Sequence, residues 1–182
     1  MNQRLFIQKK SEFDVISQKT TIELQNLVPH AVCKVFVIYD LFGIDENQLA
    51  KVQNTIFVDP VTDILYTHYE DAIVENFPYS KNFFATEFLP GQYNQRDDSA
   101  EQCLLLMNVE GVTVKSGMLY VFNGELTNEE LLKLKEYLIN PIESREKDLS
   151  IMEIPSYPTA TEVPVIEGLS LIHISEPTRR YA

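Results

Sequence analysis

The chain has 182 residues, with 15 Lys and Arg against 27 Asp and Glu, a formal charge of −12, and 45% hydrophobic and 23% charged residues. That length suits one core of ordinary size, and the acidity argues against a duplex nucleic-acid binder, which must neutralise phosphates with clustered cations. Apolar runs such as Val35–Tyr39 fall far short of the roughly 20 residues a membrane-spanning helix needs. Leu5-Phe6-Ile7 predicts a short strand. Phe13, Ile16, Thr20, Leu24 and Leu27 then recur at helical spacing and predict a helix buried along that stripe, ended by Pro29. The run Lys34–Tyr39 is β-branched and aromatic on both faces, as a central strand requires. Leu49, Val52 and Ile56 give a second helix, closed at Asp59-Pro60, and Ile64-Leu65-Tyr66 gives a weaker strand.

The second half repeats this order. Phe83–Leu89 alternates as a strand, Ser99 with Gln102 forms a candidate capping box for a helix through Ala100, Cys103, Leu104 and Met107, and Met118–Phe122 is the next strand. Thr127 with Glu130 is a second capping box, stapled by Leu126 and Leu131, and Leu131, Leu134 and Leu138 form the buried stripe of a helix that Asn140-Pro141 ends. Gly43 matches Gly124, Asn47 matches Asn128 and Asp59-Pro60 matches Asn140-Pro141, each 81 positions on; the first strand needs 78, Phe6 to Phe84, which places a small insertion in the loop Pro90–Asp98. Order, spacing and stop signals therefore point to an internal duplication. The expected fold class is α+β, with duplicated ferredoxin-like β-α-β halves paired about a pseudo-two-fold axis. Beyond about Glu146, Pro155, Pro158 and Pro164 interrupt any apolar period, so a linker or extended arm is expected there.

Chemistry is sparse. His30, His68 and His173 have no metal-ligand spacing to one another or to a cysteine, so no metal site is expected, and none of the six glycines lies in a phosphate-cradling motif, so no nucleotide cofactor is expected in this chain. Cys33 and Cys103, 70 positions apart in apolar surroundings, suit buried, free thiols of a reducing compartment better than a disulfide, which is the alternative. The first ten residues lack an apolar centre and a small-residue cleavage site, so the cytoplasm is the expected location. One segment departs from scaffold composition: Leu89–Ser99 places Gln92, Gln95 and Arg96, with Asn94, on a loop entering a helix N-terminus at Ser99. Backbone amides and one cation there could hold an anionic or amide-bearing ligand. The alternative is a Pro-Gly turn before a capped helix, with Arg96 paired to Asp97 or Asp98.

The same segment carries a resemblance. L-P-G-Q-Y-N-Q-R-D-D-S-A-E-Q-C (Leu89–Cys103), with R-L-F-I-Q-K-K (Arg4–Lys10) and Y-L-I-N-P-I-E-S-R-E (Tyr137–Glu146), resembles the N-terminal domain of large phosphoribosylformylglycinamidine synthases, in which the first motif reads L-P-G-Q-F-D-Q-R-x-D-S-A-x-Q-C. Tyr93 and Asn94 stand where that family has Phe and Asp. The resemblance implies a duplicated domain over residues 1–145, like a dimer of the small subunit of the short enzyme form, and the start of a linker domain over 146–169. It also implies a role in an ATP-, Mg²⁺- and glutamine-dependent ligase that converts formylglycinamide ribonucleotide to its amidine in purine biosynthesis. The ATP-binding synthetase and glutaminase domains are not in this chain, so by resemblance they are its partners. No catalytic residue and no metal ligand is expected, and Gln92, Gln95, Arg96 and Ser99 are candidates for a domain interface or the substrate side. The other expectation is a free-standing, small-subunit-like interaction module that binds a separate synthetase. The family pattern stops at Leu169, and residues 170–182 resemble translated sequencing adapter, so they are excluded from fold reasoning.

Overall fold

The computed structural model describes residues 1–124 and 126–154, and over them the chain is a mixed α+β fold. The elements are β1 (Asn2–Lys9), α1 (Val15–Gln25), β2 (Cys33–Phe42), α2 (Glu46–Val52) with a π-helical turn Gln53–Phe57, β3 (Asp63–Tyr66), α3 (Tyr69–Asn76), β4 (Phe83–Phe88), α4 (Gln95–Leu106), β5 (Thr113–Phe122), α5 (Asn128–Leu138) and β6 (Ser144–Lys147). The strands make one six-stranded sheet in the order β3-β1-β2-β5-β4-β6, antiparallel at every pairing. The expected linker residues 155–169 and the tail 170–182, with His173, lie outside the described residues.

The sheet is built outward from β2 and β5, which pair from Cys33 opposite Phe122 to Phe42 opposite Thr113. Both outrun their other neighbours: β1 reaches only to Phe36 on β2, and β4 only to Gly117 on β5. The overhanging amides need acceptors, because an unmade bond on a buried backbone donor is costly. On β2, Ser17 Oγ accepts from the Val35 N–H at 2.8 Å and Thr21 Oγ1 from the Cys33 N–H at 3.0 Å, both from α1. On β5, Asp97 Oδ1 accepts from the Ser116 N–H at 2.7 Å and Glu101 Oε1 from the Val114 N–H at 2.8 Å, both from α4. This corrects the expected stripe on α1. Ser17 and Leu24 are its buried positions, whereas Phe13, Ile16 and Leu27 are exposed, because the hydroxyls that cap β2 must face the sheet.

Alternation along the strands sends one set of side chains to each face. On the first face α2 and α4 bury Val52, Phe57, Ala100 and Leu104 against Leu5, Ile7, Tyr39, Leu41 and Val114, while α1 and α5 bury Leu24 and Leu134 against Cys33, Val35, Phe84 and Phe122. On the second face α3 packs Ala72 and Ile73 over Phe6, Phe36, Ile38, Leu119 and Val121. Thr127 and Glu130 form the expected capping box at α5, as Asp45 and Gln48 do at α2. Neither α3 nor β6 is foreseen in the sequence. His68 gives α3 no side-chain cap, and β6 is the polar run Ser-Arg-Glu-Lys at a sheet edge, where charge is tolerated. The sheet thus extends to Lys147, past the expected boundary at 145.

The registers repeat. Ile7 lies between Val37 and Leu65, Thr86 lies between Met118 and Glu146, and Val37 and Met118 face each other across the central ladder. The strand relation is therefore 79 positions from β1 to β4 and 81 for the other two strands, while the N-caps Asp14 and Asn94 are 80 apart. The expected match of Phe6 with Phe84 is off by one, which in a strand means the opposite face. Phe6 lies in the core under α3 and Phe84 in the core under α1 and α5; it is Leu5, opposite Tyr39, that has the register position of Phe84, opposite Tyr120. The offset thus rises by one between β4 and α4 and by one more between α4 and β5.

Gly117 is required by close approach. A Cβ there would stand 2.3 Å from the Thr86 carbonyl oxygen and 3.6 Å from the Lys147 side chain, which passes over Gly117 to reach Asp40 at 2.9 Å. Gly117→Ala is expected to destabilise the fold by about 2 kcal/mol through forced strand displacement, read as a lower urea midpoint; an unchanged midpoint refutes the account.

Candidate functional site

The loop Leu89–Asn94 is fixed at both ends. Gly91 turns it at φ 93°, the Leu89 N–H donates to the Glu143 carbonyl at 2.9 Å, and Asn94 closes it as the N-cap of α4. Asn94 Oδ1 accepts from the Arg96 N–H at 3.0 Å, and its amide nitrogen donates to Asp97 at 2.8 Å and to Ser116 Oγ at 2.9 Å. The helix therefore starts a turn before Ser99, and the expected Ser99–Gln102 capping box does not form. Ser99 lies inside α4, exposed, and Gln102 donates to Asp98 at 2.8 Å.

The candidates divide between two hollows separated by Phe88 and Asn94. Gln92 lies on the smaller, about 250 Å³, floored by Asp97, Lys115 and Ser116, and its amide donates to the Ile142 carbonyl at 3.3 Å. Gln95, Arg96 and Ser99 share an open groove of about 760 Å³ with Tyr39, Ile56, Cys103 and Met118. Arg96 Nη1 donates to the Tyr39 hydroxyl at 3.3 Å, and the Tyr39 ring packs edge-on against Phe57 at 5.1 Å. The alternative in which Arg96 pairs with a neighbouring carboxylate is not what forms. Asp97 is held by Ser116 and Lys115, Asp98 by the Tyr93 hydroxyl and Gln102, and among the described residues Arg96 makes no salt bridge. The groove lining contains no acidic residue, although the chain as a whole is acidic. It offers one cation, two amides (Asn94 and Gln95) and three hydroxyls (Tyr39, Tyr93 and Ser99) above an apolar floor, an arrangement suited to recognising an anion or amide.

Cys103 is exposed on this groove, not buried as expected, because α4 turns Ala100 and Leu104 inward. Cys33 is buried and free, and burial, then the Asp14 charge, pushes its thiol well above the ordinary range. Tyr39, Ile56 and Met118 had no local sequence signal, since strand register brings them to α4 from three other elements. Asn94 did have one, as an Asn directly before the helix. Among the described residues no group of three or more His, Cys, Asp or Glu could hold a metal ion, and no helix is long and apolar enough to cross a membrane. Compared with known proteins, the chain matches no family model and no curated sequence.

Burial pushes the Asp97 carboxyl above its usual range, against the pull of the Ser116 hydroxyl, Lys115 and the Ser116 N–H. The folded chain therefore holds this proton more tightly than the unfolded chain, and stability from the group is lost as pH rises through the raised pKa. Asp97→Asn keeps an acceptor for Ser116 without the charge. It is expected to raise Tm relative to the parent at pH 7.5, with the difference shrinking towards pH 4; a variant less stable at pH 7.5 overturns the assignment.

Proposed function

We propose that the chain is the N-terminal, non-catalytic domain of a large, cytoplasmic phosphoribosylformylglycinamidine synthase, and that its role is to dock on the synthetase core and shape the substrate and ammonia side. The observation that carries this reading is the repeated register about Val37 and Met118, which is what fusing two small-subunit-like halves would produce. In this view each half is a three-stranded antiparallel sheet under two helices, with ferredoxin-like layering, and a pseudo-two-fold axis relates α1 to α4 and α2 to α5. Two of the three sequence motifs support the same reading, since the Leu89–Cys103 motif supplies the Arg96 groove and Arg4 of the second motif lies in the buried ion cluster with Asp40.

In the complete enzyme, ATP and Mg²⁺ would be bound by the synthetase domain and glutamine by the glutaminase domain. The contribution of this chain is a positioned guanidinium and amide at its edge. Arg96 is free to point outward because Tyr39 steadies it without neutralising it.

The test is to mix the purified chain with a synthase polypeptide lacking its own N-terminal domain. Stable association and recovery of glutamine-dependent amidine formation are expected. Absence of both, or amidine formation by this chain alone, overturns the proposal. Arg96→Ala is expected to reduce synthesis by about tenfold or more, the loss of a charged hydrogen bond, with glutamine hydrolysis unchanged. Equal synthesis rates and association would remove Arg96 from the site.

A further inference from the structure

After β6 the chain does not simply leave the sheet edge. It crosses the face under which Phe6 and Ile38 are packed, and Arg4 on β1, four strands away from β6, receives it. The Arg4 guanidinium donates to the Leu149 carbonyl at 2.5 Å and the Ile151 carbonyl at 2.7 Å, while its remaining donors hold Asp40 at 2.5 and 2.9 Å. Asp40 also accepts Lys147, the last residue of β6, and Lys147 reaches Glu87 at 2.7 Å. Leu149 is the one side chain of the crossing that packs on the core, over a hollow of about 430 Å³ lined by Tyr69, Phe83 and Ala85. Asp148, Ser150 and Ile151 are exposed.

We propose that Asp148–Ile151 is a releasable strap, latched by Arg4, that sets the course on which the chain leaves the sheet towards Ile154. The strap and the sheet are held differently. The Arg4–Asp40–Lys147 cluster is buried and belongs to the sheet, whereas the strap is held by two charge-assisted bonds to its own carbonyls and by one apolar side chain. Bonds to carbonyls fix the path of the backbone whatever the side chains. Lifting the strap breaks few contacts, leaves the Arg4–Asp40 pair intact, and uncovers Tyr69 and Phe83. A segment with that contact pattern opens locally at lower free energy than the sheet beneath it.

Hydrogen exchange on the whole chain tests this. Arg4→Lys keeps a cation beside Asp40 but cannot reach both carbonyls. It is expected to speed exchange of the Ser150 and Ile151 amides, which bond to Asp148 within the strap, by tenfold or more and to increase binding of an apolar dye, with β2 and β5 amides still protected as in the parent. Leu149→Ala, which leaves every charge in place, is expected to speed the same amides. If neither variant alters exchange at Ser150 and Ile151, there is no latch. If those amides quicken only together with β2 and β5, in both variants, the strap is part of the global fold and the proposal fails.

Discussion

The ends of β2 and β5 that run past β1 and β4 impose the constraint on which the rest depends. A central antiparallel ladder longer than its flanking strands leaves amides pointing sideways into a region about to be buried, and each must be met. The chain meets them from the helices that follow β1 and β4. Ser17 and Thr21 do so on one side, Asp97 and Glu101 on the other. Those four bonds set the roll of α1 and α4 about their axes, and the roll decides which side chains are left for anything else. Once Asp97 and Glu101 are committed to β5, Arg96 and Ser99 must face the groove beside Tyr39. The candidate site is thus a by-product of satisfying backbone donors.

The same constraint explains what the sequence could and could not reveal. Strands with apolar residues on both faces, such as β2, and helices with a capping box and a leucine stripe, such as α5, are specified locally and were legible. The roll of α1 was not, because the apolar period runs through Ile16, which faces outward, while Phe13 and Leu27 lie beyond the ends of the helix and a pair of hydroxyls turns inward. Nothing in helical periodicity records that two β-strand amides lie opposite. The start of α4 was misread for a related reason. Ser99 and Gln102 have the spacing of a cap, but Asn94 satisfies the first turn and Ser116 at once, and Ser116 comes from β5. The groove combines α4 with residues contributed by β2, β5 and the π-helical turn, so only its Leu89–Ser99 portion was visible in one dimension.

Under the proposed duplication, register also shifts the match of the first strands. Phe6 and Phe84 look like partners because aromatic residues in short strands attract each other in an alignment, yet a one-residue slip exchanges the two faces of a sheet. Assigning Leu5 to Phe84 keeps both under helices on the same side and makes Tyr39 equivalent to Tyr120. A composition-based match cannot make this distinction; hydrogen-bond parity can.

Under the proposed duplication, equivalent positions have diverged in a consistent sense around the first helix of each half. Phe13 corresponds to Tyr93, Ile16 to Arg96, Ser17 to Asp97 and Thr21 to Glu101, each 80 apart, as the N-caps Asp14 and Asn94 are. The sheet-capping task is the same in both halves, but hydroxyls perform it in one and carboxylates in the other. A hydroxyl accepts an amide bond without bringing in a charge, whereas a buried carboxylate must be compensated, and Lys115 and the Asn94 amide lie beside Asp97 for that purpose. The second half therefore carries a more polar helix start; each start is tied to its central strand by an ion pair, Asp14 to Lys34 on β2 at 3.2 Å and Asp97 to Lys115 on β5 at 3.6 Å, and the second adds the Asn94 bond to Ser116. The outward-facing positions follow suit, with Ile16 apolar where Arg96 is charged. Under the proposed duplication the two copies then present chemically different edges, the asymmetry that the proposed docking on a partner in a single orientation needs.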